Sequence, residues 1–155
     1  MHRSLFVLML LLLSSAPCLG QQSLPGTYKL LSLVVEVDGQ PPVDTMGKSP
    51  RGYVVLTPTR WINLFTAENR KFGTSIEQKA GLWDSLLAFS GPYRLDENKL
   101  VVSIDTSWNE SWNGTQVTRY WQLDGKRLII TSAKAPYSRD PTKMAVGRFV
   151  LEKVE

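Results

Sequence analysis

Beyond residue 20 the sequence contains no cysteine and no histidine, because Cys18 and His2 are the only residues of either type. Such a stretch forms no disulfide. It also lacks the parts of a Ser-His-Asp triad, a cysteine nucleophile and the usual ligand sets for zinc. Any catalysis would therefore depend on Asp, Glu, Lys, Tyr or Arg, and we expect no cofactor and no metal site.

Clustered charge is also scarce. The sequence has 18 Lys and Arg residues against 14 Asp and Glu, and without Arg3 the basic residues number 17, which leaves a net charge of +3. That excess is small and no basic run stands out, so no nucleic-acid partner is expected.

The one long apolar run lies near the N-terminus, in MHRSLFVLMLLLLSSAPCLGQQ. A basic start precedes apolar residues 5–13, and the small residues Cys18 and Gly20 follow, which is typical of a cleaved secretory signal peptide. The run is short for a bilayer span, and no later segment is longer. A lipoprotein lipidated at Cys18 is the alternative, although Pro17 directly before it disfavours that pathway.

We therefore expect a signal peptide at residues 1–20 and one domain at residues 21–155. The protein would be secreted or periplasmic, without stable membrane insertion once the signal peptide is removed.

The remaining chain has the pattern of short strands separated by turns rich in Gly, Pro, Asp and Asn. Eight consecutive antiparallel strands favour an all-β, up-and-down barrel, which leaves no sheet edges and can hold one small ligand. A β-sandwich is the alternative. The predicted strands cover residues 27–37, 51–57, 60–66, 88–95, 99–106, 115–123, 126–133 and 143–154.

One short α-helix is predicted between the third and fourth strands. Thr74 and Glu77 have the spacing of a capping box. Four apolar residues then fall on one helical face, namely Ile76, Ala80, Trp83 and Leu87.

Several segments, in order, resemble the lipocalin-like domain family of bacteria and fungi. The opening GTYKLLS (26–32) is similar to that family's GTW-x-L-x-S, and the resemblance continues in PRGYVVLTP, FSGPYRLDENKLVVSID, WNGTQVTRYWQLDGKRLII and VGRFVLEKV. The family implies a calycin-type antiparallel barrel and implies no particular substrate.

The resemblance also implies a structural pair at the closed end of the barrel. In this family an aromatic residue of the opening motif packs there, under an arginine of the last strand. Tyr28 stands where the family prefers Trp, and Arg148 is the matching arginine. The predicted cation–π contact would contribute about 0.5–2 kcal/mol, and less with Tyr than with Trp.

Alternation along strand 115–123 places Arg119 and Trp121 on its more apolar face, which predicts that both point inward. An inward arginine has two interpretations. It could be a structural charge, paired with Glu36 or with a backbone carbonyl, because buried charges need partners. Alternatively, its guanidinium could hold the carboxylate or enolate of a ligand. Arg94 is a second candidate, expected to face water.

The stretch SWNESWNGTQ (107–116) places Trp108 and Trp112 four residues apart in a polar loop. They could close the end of the barrel as part of its core, form an aromatic rim around an apolar or sugar-like ligand, or contact a partner or a membrane surface. Asn109 and Asn113 each begin a glycosylation triplet.

The leading hypothesis is a binding protein for a small hydrophobic molecule that could carry one anionic group. The predicted ligand-binding residues are Arg119, Trp121, Phe65, Tyr53, Trp108 and Trp112. One alternative is a cofactor-independent isomerase or cyclase, in which Glu36 or Asp105, with Tyr53 or Tyr93, would transfer protons. The other is a structural domain with a filled interior.

Overall fold

The first and last strands pair with each other along most of their length, and this pairing closes the sheet. The structure is a computed structural model that describes residues 24–137 and 140–155. The predicted signal peptide, residues 1–20, lies outside the described residues.

The described residues form one helix, α1, and eleven strands. The helix covers Ile76–Asp84, and a single 3-10 turn covers Glu110–Trp112. The strands are β1 Gly26–Val37, β2 Val43–Asp44, β3 Arg51–Leu56, β4 Arg60–Thr66, β5 Leu86–Asp96, β6 Lys99–Ser103, β7 Thr106–Ser107, β8 Gln116–Asp124, β9 Arg127–Ser132, β10 Ala135–Tyr137 and β11 Asp140–Lys153.

Eight of these strands form a closed antiparallel barrel, and the prediction of that architecture is confirmed. Around the barrel they follow the order β1, β3, β4, β5, β6, β8, β9, β11 and back to β1. The closing pair runs from Tyr28 opposite Lys153 to Val37 opposite Ala145. The short strands β2, β7 and β10 extend the sheet at one end and were not predicted as separate strands.

The close approach of β5 to the end of β6 depends on a glycine. Gly91 lies in β5, where an added Cβ would lie 1.9 Å from the carbonyl oxygen of Ser103. No other residue fits there, because a side chain would collide with the neighbouring backbone.

Strand β4 has two faces that both carry apolar residues, and only one of them points into the barrel. Trp61, Asn63 and Phe65 are buried, whereas Ile62 and Leu64 are exposed. The Trp61 indole donates to Asn63 Oδ1 at 2.8 Å, and Asn63 Nδ2 donates to the Leu87 carbonyl at 3.0 Å. The amide is therefore satisfied inside, and the larger aromatic pair fills the interior.

The helix differs from its prediction. Its capping box is formed by Ser75 and Gln78, one residue later than predicted. The predicted buried face is wrong, because α1 contains no buried residue and Ile76 is 82% exposed. Leu87 belongs to β5. The helix lies in the connection between β4 and β5 and contacts the rest of the protein through the ring of Trp83, which meets Trp108, so tertiary placement overrode the periodic pattern.

The two ends of the barrel differ. The short turns β3–β4, β5–β6 and β8–β9 lie at one end, together with the start of β1 and the end of β11. We call this the closed end. The longer connections lie at the opposite, open end, at 38–50, 67–85, 104–115 and 133–137.

The closed end contains Tyr28, as predicted, but a different cation. Tyr28 is fully buried, and its hydroxyl donates to the Leu24 carbonyl at 2.7 Å. Lys153 Nζ lies 5.8 Å from the ring centroid and donates to the Pro25 carbonyl at 3.0 Å. Arg148 is exposed, since the adjacent Phe149 points inward. The predicted pairing of Arg148 with Tyr28 is therefore corrected to Lys153.

Candidate ligand-binding site

The open half of the barrel contains a cavity of about 550 Å³. This volume is within the range of small-molecule sites, which are about 300–1,000 Å³. Its lining is mostly apolar and comprises Leu33, Val35, Thr45, Met46, Asp84, Leu86, Leu87, Trp108, Asn109, Trp112, Val117, Arg119, Ser132, Ala133, Ala135, Pro136, Tyr137, Ala145, Gly147 and Phe149.

The interior below this cavity is packed. A void of only about 10 Å³ lies there, and Phe65, Trp61 and Phe89 are among the residues around it. Phe65 is 1% exposed, and its ring lies 6.0 Å from that of Phe149. Arg119, Leu87 and Phe149 line both spaces, which places them at the base of the large cavity.

Backbone hydrogen bonds hold the connection at residues 104–115, which we call the tryptophan-bearing connection, against the barrel. The Trp108 amide donates to the Ala88 carbonyl at 2.9 Å, which fixes its first half to β5. Asn109 Oδ1 then accepts from the Ser111 amide at 3.1 Å and caps the 3-10 turn. Thr115 donates through its amide and its hydroxyl to the Trp112 carbonyl. Both tryptophans are therefore held in place.

Aromatic side chains form a continuous series of ring contacts from α1 to the packed interior. Trp83 meets Trp108 at 6.4 Å, and Trp108 meets Trp112 edge-to-face at 4.9 Å and 71°. Trp112 lies 5.9 Å from Phe89, which stacks on Trp61 at 6.2 Å. We call Trp108 and Trp112 the tryptophan corner: Trp112 packs against the core, and both residues line the cavity.

Arg119 is the only arginine or lysine among the residues that line the cavity. Its side chain is partly exposed because it faces the open cavity, yet surrounding protein desolvates the guanidinium and lowers its pKa to about 10. It donates to the Thr118 carbonyl at 3.2 Å and lies 5.8 Å from the Phe149 ring centroid. None of the four ion pairs among the described residues involves Arg119, and Glu36 is exposed.

Three further residues considered for ligand binding, Trp121, Tyr53 and Arg94, do not line the cavity. Trp121 is partly buried and packs against the core, nearer the closed end than Arg119. Tyr53 is 49% exposed and lies on the outer surface, because its neighbour Val54 points inward. The assignment of Tyr53 to the ligand site is therefore corrected. Arg94 is exposed, as expected.

One side of the cavity escaped the sequence analysis because its residues are small. We call it the small-residue wall: Ser132, Ala133, Ala135, Ala145 and Gly147. A signal was present, since Ala145, Gly147 and Phe149 alternate along β11 and all face the interior. Alanine and glycine carry no functional group, and the Ser132 hydroxyl is engaged within the wall, since it accepts from the Gly147 amide at 2.9 Å and donates to the Ala133 carbonyl at 3.0 Å.

Titratable groups with displaced pKa values lie outside the cavity, Arg119 excepted. Burial raises the pKa of Tyr28 and of Tyr93, and the Tyr93 hydroxyl donates to the Thr57 carbonyl at 2.9 Å. The hydrogen bond from Arg60 lowers the pKa of Asp105 on the outer surface. Residues 24–137 and 140–155 contain no cluster of acidic, His or Cys side chains that could hold a metal ion.

No helix among the described residues has the length and apolar character needed to cross a membrane.

Comparison with known proteins agrees with the fold. The model of the lipocalin-like domain family matches residues 25–154. Searches of curated proteins and of solved structures found no significant match. At a coarse level, a barrel of this kind with a cavity suggests binding of a small molecule. Because the family match covers nearly all described residues, the chain belongs to the lipocalin-like domain family.

Proposed function

We propose that this protein is an exported binding protein that holds one small apolar anion in the open half of its barrel. The observation that carries the proposal is Arg119, a desolvated cation at the base of an apolar cavity without a carboxylate partner among the described residues. Removal of a charge from water is costly unless a partner compensates it. A bound anion would supply that partner.

The position of Arg119 defines how such a ligand would lie. Since Arg119 and Phe149 line both the cavity and the small void beneath it, an anionic group would be bound deepest. The apolar part would extend toward the tryptophan corner and the open end. Hydrogen bonds between a guanidinium and a carboxylate are charge-assisted and are stronger than neutral ones.

The alternative of an enzyme has less support. Proton transfer needs a titratable group within hydrogen-bond reach of the reacting atom. Tyr93 instead donates to the Thr57 carbonyl, and Asp105 pairs with Arg60 on the outer surface. The filled structural domain has less support too, because about 550 Å³ remains open.

Calorimetric titration with decanoate and with decan-1-ol tests the proposal on the wild-type protein, on Arg119→Gln and on Arg94→Gln. Decanoate should bind the wild type and Arg94→Gln, since Arg94 is exposed. Arg119→Gln should weaken decanoate binding about tenfold or more and leave decanol binding unchanged, because one charge-assisted contact contributes about 1.5–3 kcal/mol. Equal decanoate affinity in all three proteins would overturn the role of Arg119.

The pH dependence of decanoate binding provides a second test. The lowered pKa of Arg119, about 10, leaves its guanidinium charged at neutral pH. Affinity should therefore be constant from pH 6 to about 9 and fall as Arg119 loses its proton above its pKa. Decanol binding should not follow this profile.

Export itself is tested by expression of the full sequence in a secreting host. Intact-mass measurement of the exported protein should show a chain that begins at Gln21. A product that stays inside the cell with residues 1–20 attached would contradict the export part of the proposal and leave the binding part untouched.

A further inference from the structure

We infer that the ligand class is a flat aromatic acid, such as a fused-ring carboxylate, and not a flexible fatty acid. This inference rests on the proposed function and specifies its ligand. It follows from the shape of the cavity, which has an aromatic side and a small-residue side.

The two sides face each other across the barrel. Trp108 follows β7, which pairs with β5, whereas Ala145 and Gly147 belong to β11. In the barrel order β5 and β11 are separated by three strands in either direction, so they lie diametrically opposite. The space between them is therefore bounded by the two indole rings on one side and by the small-residue wall on the other, with Tyr137 of β10 beside that wall and Phe149 of β11 at the base.

The aromatic side is suited to a ring. Trp108 and Trp112 stand at 71° to each other, and both line the cavity. A flat ligand can stack on one ring and meet the other edge-on, which are the two arrangements that aromatic pairs prefer. An alkyl chain gains buried area there but no preferred orientation.

The aromatic side is also rigid before any ligand arrives. The hydrogen bonds of Trp108 to Ala88 and of Thr115 to Trp112 fix the backbone, and ring contacts with Trp83 and Phe89 fix the side chains. Pre-organisation of this kind lowers the cost of binding a rigid ligand.

We call the space between the tryptophan corner and the small-residue wall the slot. The short side chains of the wall make the slot wider. A Cβ added at Gly147 would lie 3.6 Å from the Phe149 ring and 3.8 Å from Ser132 Oγ, an ordinary packing distance. A larger side chain could therefore be accommodated by the fold, and it would project into the cavity. The absence of a side chain at Gly147 thus leaves room that a ring system can occupy.

The decisive experiment compares 2-naphthoate with decanoate by calorimetry, since both are apolar carboxylates of similar size. Wild-type protein should bind 2-naphthoate about tenfold more tightly, which corresponds to about 1.4 kcal/mol. Trp112→Leu should abolish that preference, because it should weaken 2-naphthoate binding about tenfold more than decanoate binding. Tyr53→Leu is the control, because Tyr53 is a half-exposed aromatic residue on the outer surface and does not line the cavity.

Gly147→Val keeps the inference testable if Trp112→Leu fails to fold. It should weaken 2-naphthoate at least fivefold more than decanoate, because a flexible chain can bend around the new side chain. Thermal unfolding should show that this variant is folded.

The outcomes separate the two proposals. If both acids bind and decanoate binds equally or more tightly, the aromatic ligand class is wrong while the proposed function stands. If neither acid binds, both proposals are wrong. A preference for 2-naphthoate that survives both Trp112→Leu and Gly147→Val would overturn the assignment of the slot.

Discussion

The two halves of this barrel share the same strands but differ in how their interiors are filled. The closed half leaves a void of about 10 Å³ between its aromatic and aliphatic side chains, whereas the open half leaves about 550 Å³. Tight packing stabilises a fold, and every side chain omitted from an interior forgoes contacts. The comparison indicates that the closed half stabilises the barrel and that the open half leaves space that a small molecule can occupy.

The largest expected effect is a loss of stability in the closed half. Leu128 is fully buried, so Leu128→Ala should lower the free energy of unfolding by about 2–5 kcal/mol. Leu86→Ala in the cavity lining should cost clearly less, because Leu86 is only partly buried. Chemical denaturation measures both, and equal losses would contradict the division of the barrel into two halves.

The second expected effect has the opposite sign. Arg119→Met replaces a desolvated cation that has no carboxylate partner among the described residues by an apolar side chain, which should raise the free energy of unfolding by about 1 kcal/mol without ligand. The sign follows from its lowered pKa: above about pH 10 the folded chain has lost this proton while the unfolded chain still binds it, so stability rises there and at neutral pH the charge opposes folding. A marked loss of stability would instead indicate a structural role for Arg119.

A smaller effect distinguishes two of the three cations of β11, Lys153 and Arg148. Lys153→Met removes the cation above Tyr28 and should lower the free energy of unfolding by about 0.5–1 kcal/mol. Arg148→Met should change it by less than about 0.5 kcal/mol, because Arg148 is an exposed surface residue. Thermal unfolding of the two variants measures the difference. A larger loss of stability for Arg148→Met than for Lys153→Met would support the pairing of Arg148 with Tyr28 that the family resemblance implies.

The smallest effect concerns the link between the two halves. Asp105, at the start of the tryptophan-bearing connection, pairs with Arg60 at the start of β4 with 2.7 Å between Nη2 and Oδ2. The pKa of Asp105 is lowered from 3.8, so its contribution is complete above that pH and is lost as the pH falls through the lowered value. Asp105→Asn should therefore flatten the acid limb of a stability–pH curve, and an unchanged limb would contradict the link.

Much of the fold was predictable from the sequence, because alternation along each strand is a local property. Each of the eight predicted strands overlaps one of the strands that form the barrel. Arg119 was expected to point inward and does, since its strand has one apolar face. The helix was predicted in the right place, but its buried face was wrong because nothing packs against Ile76.

The candidate site was only partly predictable, because a cavity depends on residues that are distant in sequence. Trp108 and Trp112 were expected in the core, in a ligand rim or at a contact with a partner or membrane; Trp112 packs against the core, and both residues line the cavity. Tyr53 was assigned to the ligand site on residue type, and it faces outward. Gly147 offered no functional side chain, and its importance emerged only from what lies opposite.

The sequence alone determined that the described chain would be an antiparallel barrel without cysteine or histidine, because composition and alternation are written into neighbouring residues. The tertiary structure decided which cation covers Tyr28, where the interior is filled and where it stays open. These features depend on side chains that are distant in sequence and are brought together across the barrel. The order of residues along the chain does not give the distance between the tryptophan corner and the small-residue wall.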